Sequence, residues 1–181
     1  MSKSLLSQGL MENLRLIVKF LFDGNRILDR IMDNLAVPLV MTKTEKILHV
    51  PLDHQYPLLA DEVVDYMHSR NQMSGYLATI EDMTEYNSPL EAFKRYLDYQ
   101  LKLEELIKDT IEMASDEEDK MTKKFLNNFL FKIGIYTNQA LLLVDKAEMY
   151  GDDKFSWMMM DNNADNLLIP DLILISDKED D

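Results

Sequence analysis

Between Ser88 and Gly151 the sequence carries two long helical periodicities with a single break between them. Ser88-Pro89-Leu90-Glu91 is a helix start, with Ser88 as N-cap, Pro89 in the first turn and Glu91 at the capping-box position. Leu90, Phe93, Leu97, Gln100, Glu104, Ile107, Ile111 and Ala114 then follow at steps of three and four. The run "SDEED" breaks the stripe, and Ser115 or Asp116 can cap a second helix. That helix is expected to run to Tyr150 on Met121, Phe125, Phe129, Ile133, Tyr136, Ala140, Val144 and Ala147, with Gly151 as its stop. Two such helices joined by a short turn must pair antiparallel, so the fold is all-α. Five glycines and five prolines in 181 residues leave too few turn signals for a β-sandwich.

The first half is harder to divide. Leu6, Leu10, Leu14, Ile17 and Leu21 give an amphipathic helix over residues 4–22, with Gly24-Asn25 as a stop signal. Ile27, Ile31, Leu35, Leu39 and Thr42 mark a second helical stretch over 26–50, interrupted by Pro38. "PLDHQYP" at 51–57 reads as a connection, and Pro57 opens a third helix reaching about Asn71. A short helix is expected at 80–86, inside the connection to Ser88. The simplest architecture is a four-helix bundle with one additional N-terminal helix. The apolar stretches "FSWMMM" and "NLLIPDLILI" in the tail need cover from the bundle or from a neighbouring subunit.

Charge and composition exclude several functions. No cysteine is present, which removes disulfide scaffolds and thiolate metal sites. No two glycines lie close enough for a phosphate-binding loop. No apolar run approaches membrane-spanning length, no secretory signal pattern opens the chain, and a cytoplasmic location is the expectation. The net charge of −14 opposes indiscriminate DNA binding, but it is unevenly spread. Residues 151–181 carry a net −7, whereas residues 1–30 carry +2 through Lys3, Arg15, Lys19, Arg26 and Arg30. Those five cations are candidate phosphate contacts, which a multi-subunit assembly would multiply. Read without that role they are a solvated helix face.

The stretch from Ser88 to Gly151 resembles the second half of the bacterial ferritin subunit, through "SPLEAF", "LDYQ", "FLNNF" and "VDKAEMYG". "DYMHSRNQMSGYLATIEDMTEY" from Asp65 to Tyr86 is similar to the Dps branch of the ferritin superfamily, and "LDRIMDNLAVPLVMTK" is similar to the Dps first helix. The resemblance implies a Dps-like, ferritin-like four-helix bundle over residues 26–151. Residues 1–25 would be an N-terminal helical extension and residues 152–181 an acidic tail. In a competing threading, residues 4–23 are the first bundle helix. The resemblance also implies a homo-oligomeric cage of twelve subunits that sequesters iron and protects DNA non-specifically in stress. A ferritin-type storage protein and a non-catalytic interaction bundle are the alternatives.

The family's metal ligands are largely missing. The third-helix glutamate of ferritins falls on Gln100, and the fourth-helix carboxylate run falls on Lys132-Ile133-Gly134-Ile135-Tyr136-Thr137. The Dps first-helix histidine falls on Lys46. Its Asp-x-x-x-Glu pair falls on Asp65 and Ser69. The usual centres are therefore degraded, and ferroxidase activity is left open. Nearby, all three histidines fall within residues 49–68. Asp61, Asp65 and His68 share one helical face, with His54 just before that helix. His54, Asp61, Asp65 and His68 are the candidate metal ligands, for iron or for zinc. An ordinary polar helix face is the competing reading.

Overall fold

A computed structural model describes residues 4–170 and Leu172. Helix α1 spans Gln8–Ala36, capped by the Ser7 hydroxyl, which accepts from the Leu10 N–H at 3.1 Å. Helix α2 spans Thr42–Leu48 and runs into a π-helical segment, His49–Asp53, then into α3, Gln55–Ser69. Helix α4 spans Pro89–Asp116, α5 spans Lys120–Tyr150 and α6 spans Lys154–Asn162. A single 3-10 turn, Ala164–Asn166, follows. The bundle has four members: α1, the composite α2–π–α3 rod, α4 and α5.

The long helices follow from their caps and stripes. Ser88 accepts from the Glu91 N–H at 3.2 Å, and the Glu91 carboxylate accepts in return from the Asn87 N–H at 2.8 Å. Asp119, rather than Ser115 or Asp116, caps α5, accepting from the Met121 and Thr122 N–H groups. Gly151 closes α5 at φ 101°, a conformation that side-chain-bearing residues rarely adopt.

Residues 4–36 depart from expectation. The helix does not stop at Gly24-Asn25 but continues to Ala36. Leu10, Leu14, Ile17, Val18 and Leu21 sit in the same core as Ile27, Leu28, Ile31 and Leu35. The expected division between an extension, 1–25, and a bundle, 26–151, thus falls inside one continuous helix. The expected extra N-terminal helix is the first half of α1. A close packing contact explains why glycine sits there. A Cβ on Gly24 would lie 2.3 Å from the Tyr99 hydroxyl, so glycine is what lets α4 approach α1. The chain turns at Val37–Met41, where Pro38 cannot continue a helix. The "connection" at 51–57 is helical, as the π segment and the start of α3.

Residues 72–86 form no helix, so the short helix expected at 80–86 is absent. They form an extended strap along α1 instead. Arg15 donates to Met73 O at 3.1 Å and also to Ser74 O. Asp23 accepts from the Ile80 N–H at 2.9 Å. Arg30 donates to Thr84 O at 2.6 Å, and Asn34 accepts from the Tyr86 N–H at 3.0 Å. Side chains of α1 satisfy strap backbone groups that a helix would have satisfied internally. The strap carries the chain the length of α1, so α3 and α4 run parallel with one long crossover.

The described part of the tail covers the bundle. Asp161 on α6 is buried and accepts from the Thr44 N–H at 2.7 Å, capping the first turn of α2. Gln139 on α5 donates to Leu167 O at 2.6 Å and accepts from the Ile169 N–H at 2.8 Å.

Candidate metal centre

Two places could hold chemistry: the bundle centre and the π segment. The bundle centre is closed and made of phenols. Gln100, Tyr56 and Tyr96 are fully buried or nearly so and form one hydrogen-bonded group. The Gln100 amide donates to the Tyr56 hydroxyl and, at 3.1 Å, to the Tyr96 hydroxyl, while Tyr56 donates to Tyr96 at 3.2 Å. Tyr99 and Tyr136 pack on the Tyr56 ring at centroid distances of 5.8 and 5.9 Å. Tyr99 donates to Phe20 O at 2.8 Å and stacks on the Phe20 ring. Burial pushes the Tyr56 and Tyr99 phenols well above their ordinary range and Tyr96 up to about 12. The Tyr56, Tyr96 and Tyr99 phenols stay protonated, and among the described residues the partners of Gln100, Tyr56 and Tyr96 in this group are an amide and phenols. Glu104, one turn along from Gln100, accepts from Lys108 at 2.7 Å.

The π segment collects the donors. In an α-helix, residues five apart point about 140° away from each other. A π turn, bonded i to i+5, turns less per residue and brings them nearer to one face. Pro51 lies in its middle and has no N–H to give to the preceding turn, which is where a wider turn is tolerated. As a result, the His49 and His54 rings lie 4.8 Å apart, and candidate ligand atoms of His49, Asp53 and His54 all fall within 4.8 Å of one another. Among the described residues this is the one such group of three metal-type donors.

Neighbouring side chains orient the group. Glu45 Oε1 lies 2.8 Å from His49 Nδ1, which leaves Nε2 turned to Asp53 Oδ2 at 3.6 Å. Asn25 on α1 donates to Asp53 Oδ1 at 2.7 Å. Asp53 is 2% exposed, whereas His54 is open to solvent. Burial, then the nearby Asp29 carboxyl, raise Asp53 to about 7; Asn25 and His49 act against them. A buried carboxylate held among another acid and two imidazoles is poised to gain from a cation.

The four ligands expected from sequence do not come together. His54 joins the π-segment group, while Asp61, Asp65 and His68 lie exposed along α3. Seven residues of α-helix put Asp61 about 10 Å up the axis from His54. The sequence reading missed His49 and Asp53 because it treated residues 51–57 as a loop. The signal was a proline inside an otherwise helical stretch, with His, Asp and His at 49, 53 and 54 around it.

The expected DNA-contacting cations are engaged within the chain. Arg15 and Arg30 hold the strap, Lys19 pairs with Asp23, and Arg26 pairs with Asp29 at 3.2 Å. Lys3 lies outside the described residues.

Residues 58–133 match the family model described as ferritin-like domain. No curated protein matches the chain by sequence. Its likeness to solved ferritins extends over most of its length. The open-pore ferritin of the hyperthermophilic archaeon Archaeoglobus fulgidus superposes with a TM-score of 0.81 at 20% identity, covering 88% of this chain and 97% of that one. An engineered closed form of the same ferritin gives 0.79 at 20% identity, with 88% and 96% covered. A humanized archaeal ferritin gives 0.80 at 19% identity, with 88% and 95% covered. Among the described residues, no helix of this bundle is long and apolar enough to cross a membrane.

Proposed function

We propose that this chain is the subunit of a ferritin-like homo-oligomer that binds and sequesters iron. The observation that carries the reading is the ferritin-like domain match at residues 58–133 together with likeness to archaeal ferritins along 88% of the chain. Iron is the cargo in this reading, and carboxylate and imidazole groups are the donors suited to it. The bundle centre contributes none of them, so storage without a ferritin-type intrasubunit oxidation centre follows from Gln100 and its tyrosines. A non-catalytic bundle is the second reading, and the same replacement favours it. The finer Dps-like reading, with twelve subunits and DNA held by Lys3, Arg15, Lys19, Arg26 and Arg30, has less support. It would require Arg15 and Arg30 to release strap carbonyls. The exposed row of Asp61, Asp65 and His68 remains a site only if a second subunit supplies further ligands.

Anaerobic Fe(II) loading followed by size-exclusion chromatography with light scattering tests this function. Iron co-eluting with a species larger than a dimer is the expected result. A monomer or dimer without retained iron overturns it.

A further inference from the structure

The ligands a ferritin places at its bundle centre are gone here, yet a separate donor group exists one turn away on the same rod. We propose that His49, Asp53 and His54 form a mononuclear site for a divalent transition metal, built within a single subunit by the π segment. The proposal rests on the iron-binding reading only for the name of the cargo; the site itself stands on its donors.

The donor set is two imidazoles and one carboxylate, which suits Fe(II), Co(II) or Zn(II) and not Mg(II) or Ca(II). Two ligands about 2.0–2.2 Å from such an ion at a tetrahedral angle are about 3.4 Å apart. His49 Nε2 and Asp53 Oδ2 at 3.6 Å already approach that separation. The His54 ring is exposed and free to close by rotation, while the other two ligands are held from behind. Glu45 fixes the His49 ring through Nδ1, and Asn25 fixes Asp53 through Oδ1. This is the outer arrangement that metal-binding histidines and carboxylates ordinarily have. Metal bound here would have one protected side, against α1, and open positions toward solvent next to His54. The π turn is required: in α-helical geometry His54 would face away from His49.

Co(II) titration of the unaltered protein, followed by visible absorption and by NMR of the histidine rings, tests the site without depending on iron storage. One Co(II) per subunit is expected. The His49 and His54 ring signals should shift strongly, and those of His68 should stay put. His49→Ala and His54→Ala should each weaken binding at least about tenfold. The Asp61→Ala, Asp65→Ala, His68→Ala triple variant should bind like the parent. The ring signals are read on the unaltered protein, so they decide the question even if a variant fails to fold. Unshifted His49 and His54 rings at saturating Co(II), or a loss that follows the triple variant instead, overturns the proposal. Co(II) binding without iron retention would sink the storage function and leave the site standing.

Discussion

The bundle centre and the π segment lie on the same α2–π–α3 rod, Tyr56 only three residues after Asp53, yet their chemistry is opposite. At the centre, burial is nearly complete and keeps the Tyr56, Tyr96 and Tyr99 phenols neutral. At the π segment, burial is partial and the groups are two imidazoles and a carboxyl that burial raises to about 7. Burial without ligands gives a rigid, hydrogen-bonded core. Ligands at a half-open seam give a place where an ion can enter. One helical rod thus joins a closed phenolic centre to a half-open group of metal-type donors.

The largest expected effect breaks the centre by crowding it. Gly24→Ala drives a methyl group into the Tyr99 ring, so the predicted loss is about 3 kcal/mol, a fall of about 6–12 °C in melting temperature. A near-silent substitution there would mean that α1 and α4 do not meet as described. Next is Gln100→Glu, which returns a carboxylate to the centre. Without a compensating cation it should cost about 2–3 kcal/mol at pH 8 and less at pH 5, where the carboxyl protonates. Metal content by elemental analysis should not rise. A gain of bound iron in this variant would show that the centre retains the rest of a metal site.

A smaller effect is expected away from both regions. Burial pushes the Asp119 carboxyl up, but the Thr122 hydroxyl and N–H, Arg70 and the Met121 N–H outweigh it and lower its pKa below the ordinary 3.8. The stabilisation is present above pH 4 and is lost as pH falls through the lowered value. Asp119→Ala should cost about 1–2 kcal/mol at pH 7, and melts run down the acid range should converge with the parent as pH falls through the lowered value. The smallest predicted effect is that of Arg30→Ala, about 1 kcal/mol, with faster proteolysis of the strap near Met83 and Thr84. Unchanged strap protection would free Arg30 for an external partner such as DNA.

Much of the fold was legible because it was written in local signals. Ser88, Pro89, Glu91 and Gly151 marked the bounds of the second-half helices, and the apolar steps of three and four gave their buried faces. The unbroken α1 was not legible, because Gly24 is a local helix weakener whose justification is a ring more than seventy residues away. The strap was not legible as an extended segment, because its backbone is satisfied by Arg15, Asp23, Arg30 and Asn34 rather than by itself. Of the expected metal ligands, His54 joins the cluster. The helical face through Asp61, Asp65 and His68 followed from regular α geometry. His49 and Asp53 converge on His54 through a π turn that periodicity does not encode.

Among the described residues, three metal-type donors converge at the π segment, whereas the Gln100–Tyr56–Tyr96 group at the bundle centre offers an amide and phenols. An anomalous-scattering map at the iron edge, from crystals loaded anaerobically with Fe(II), tests this contrast most directly. A peak is expected between His49, Asp53 and His54, and none within coordination distance of Gln100, Tyr56 or Tyr96. A peak at the tyrosine cluster, or an empty π segment in iron-loaded crystals, would contradict it.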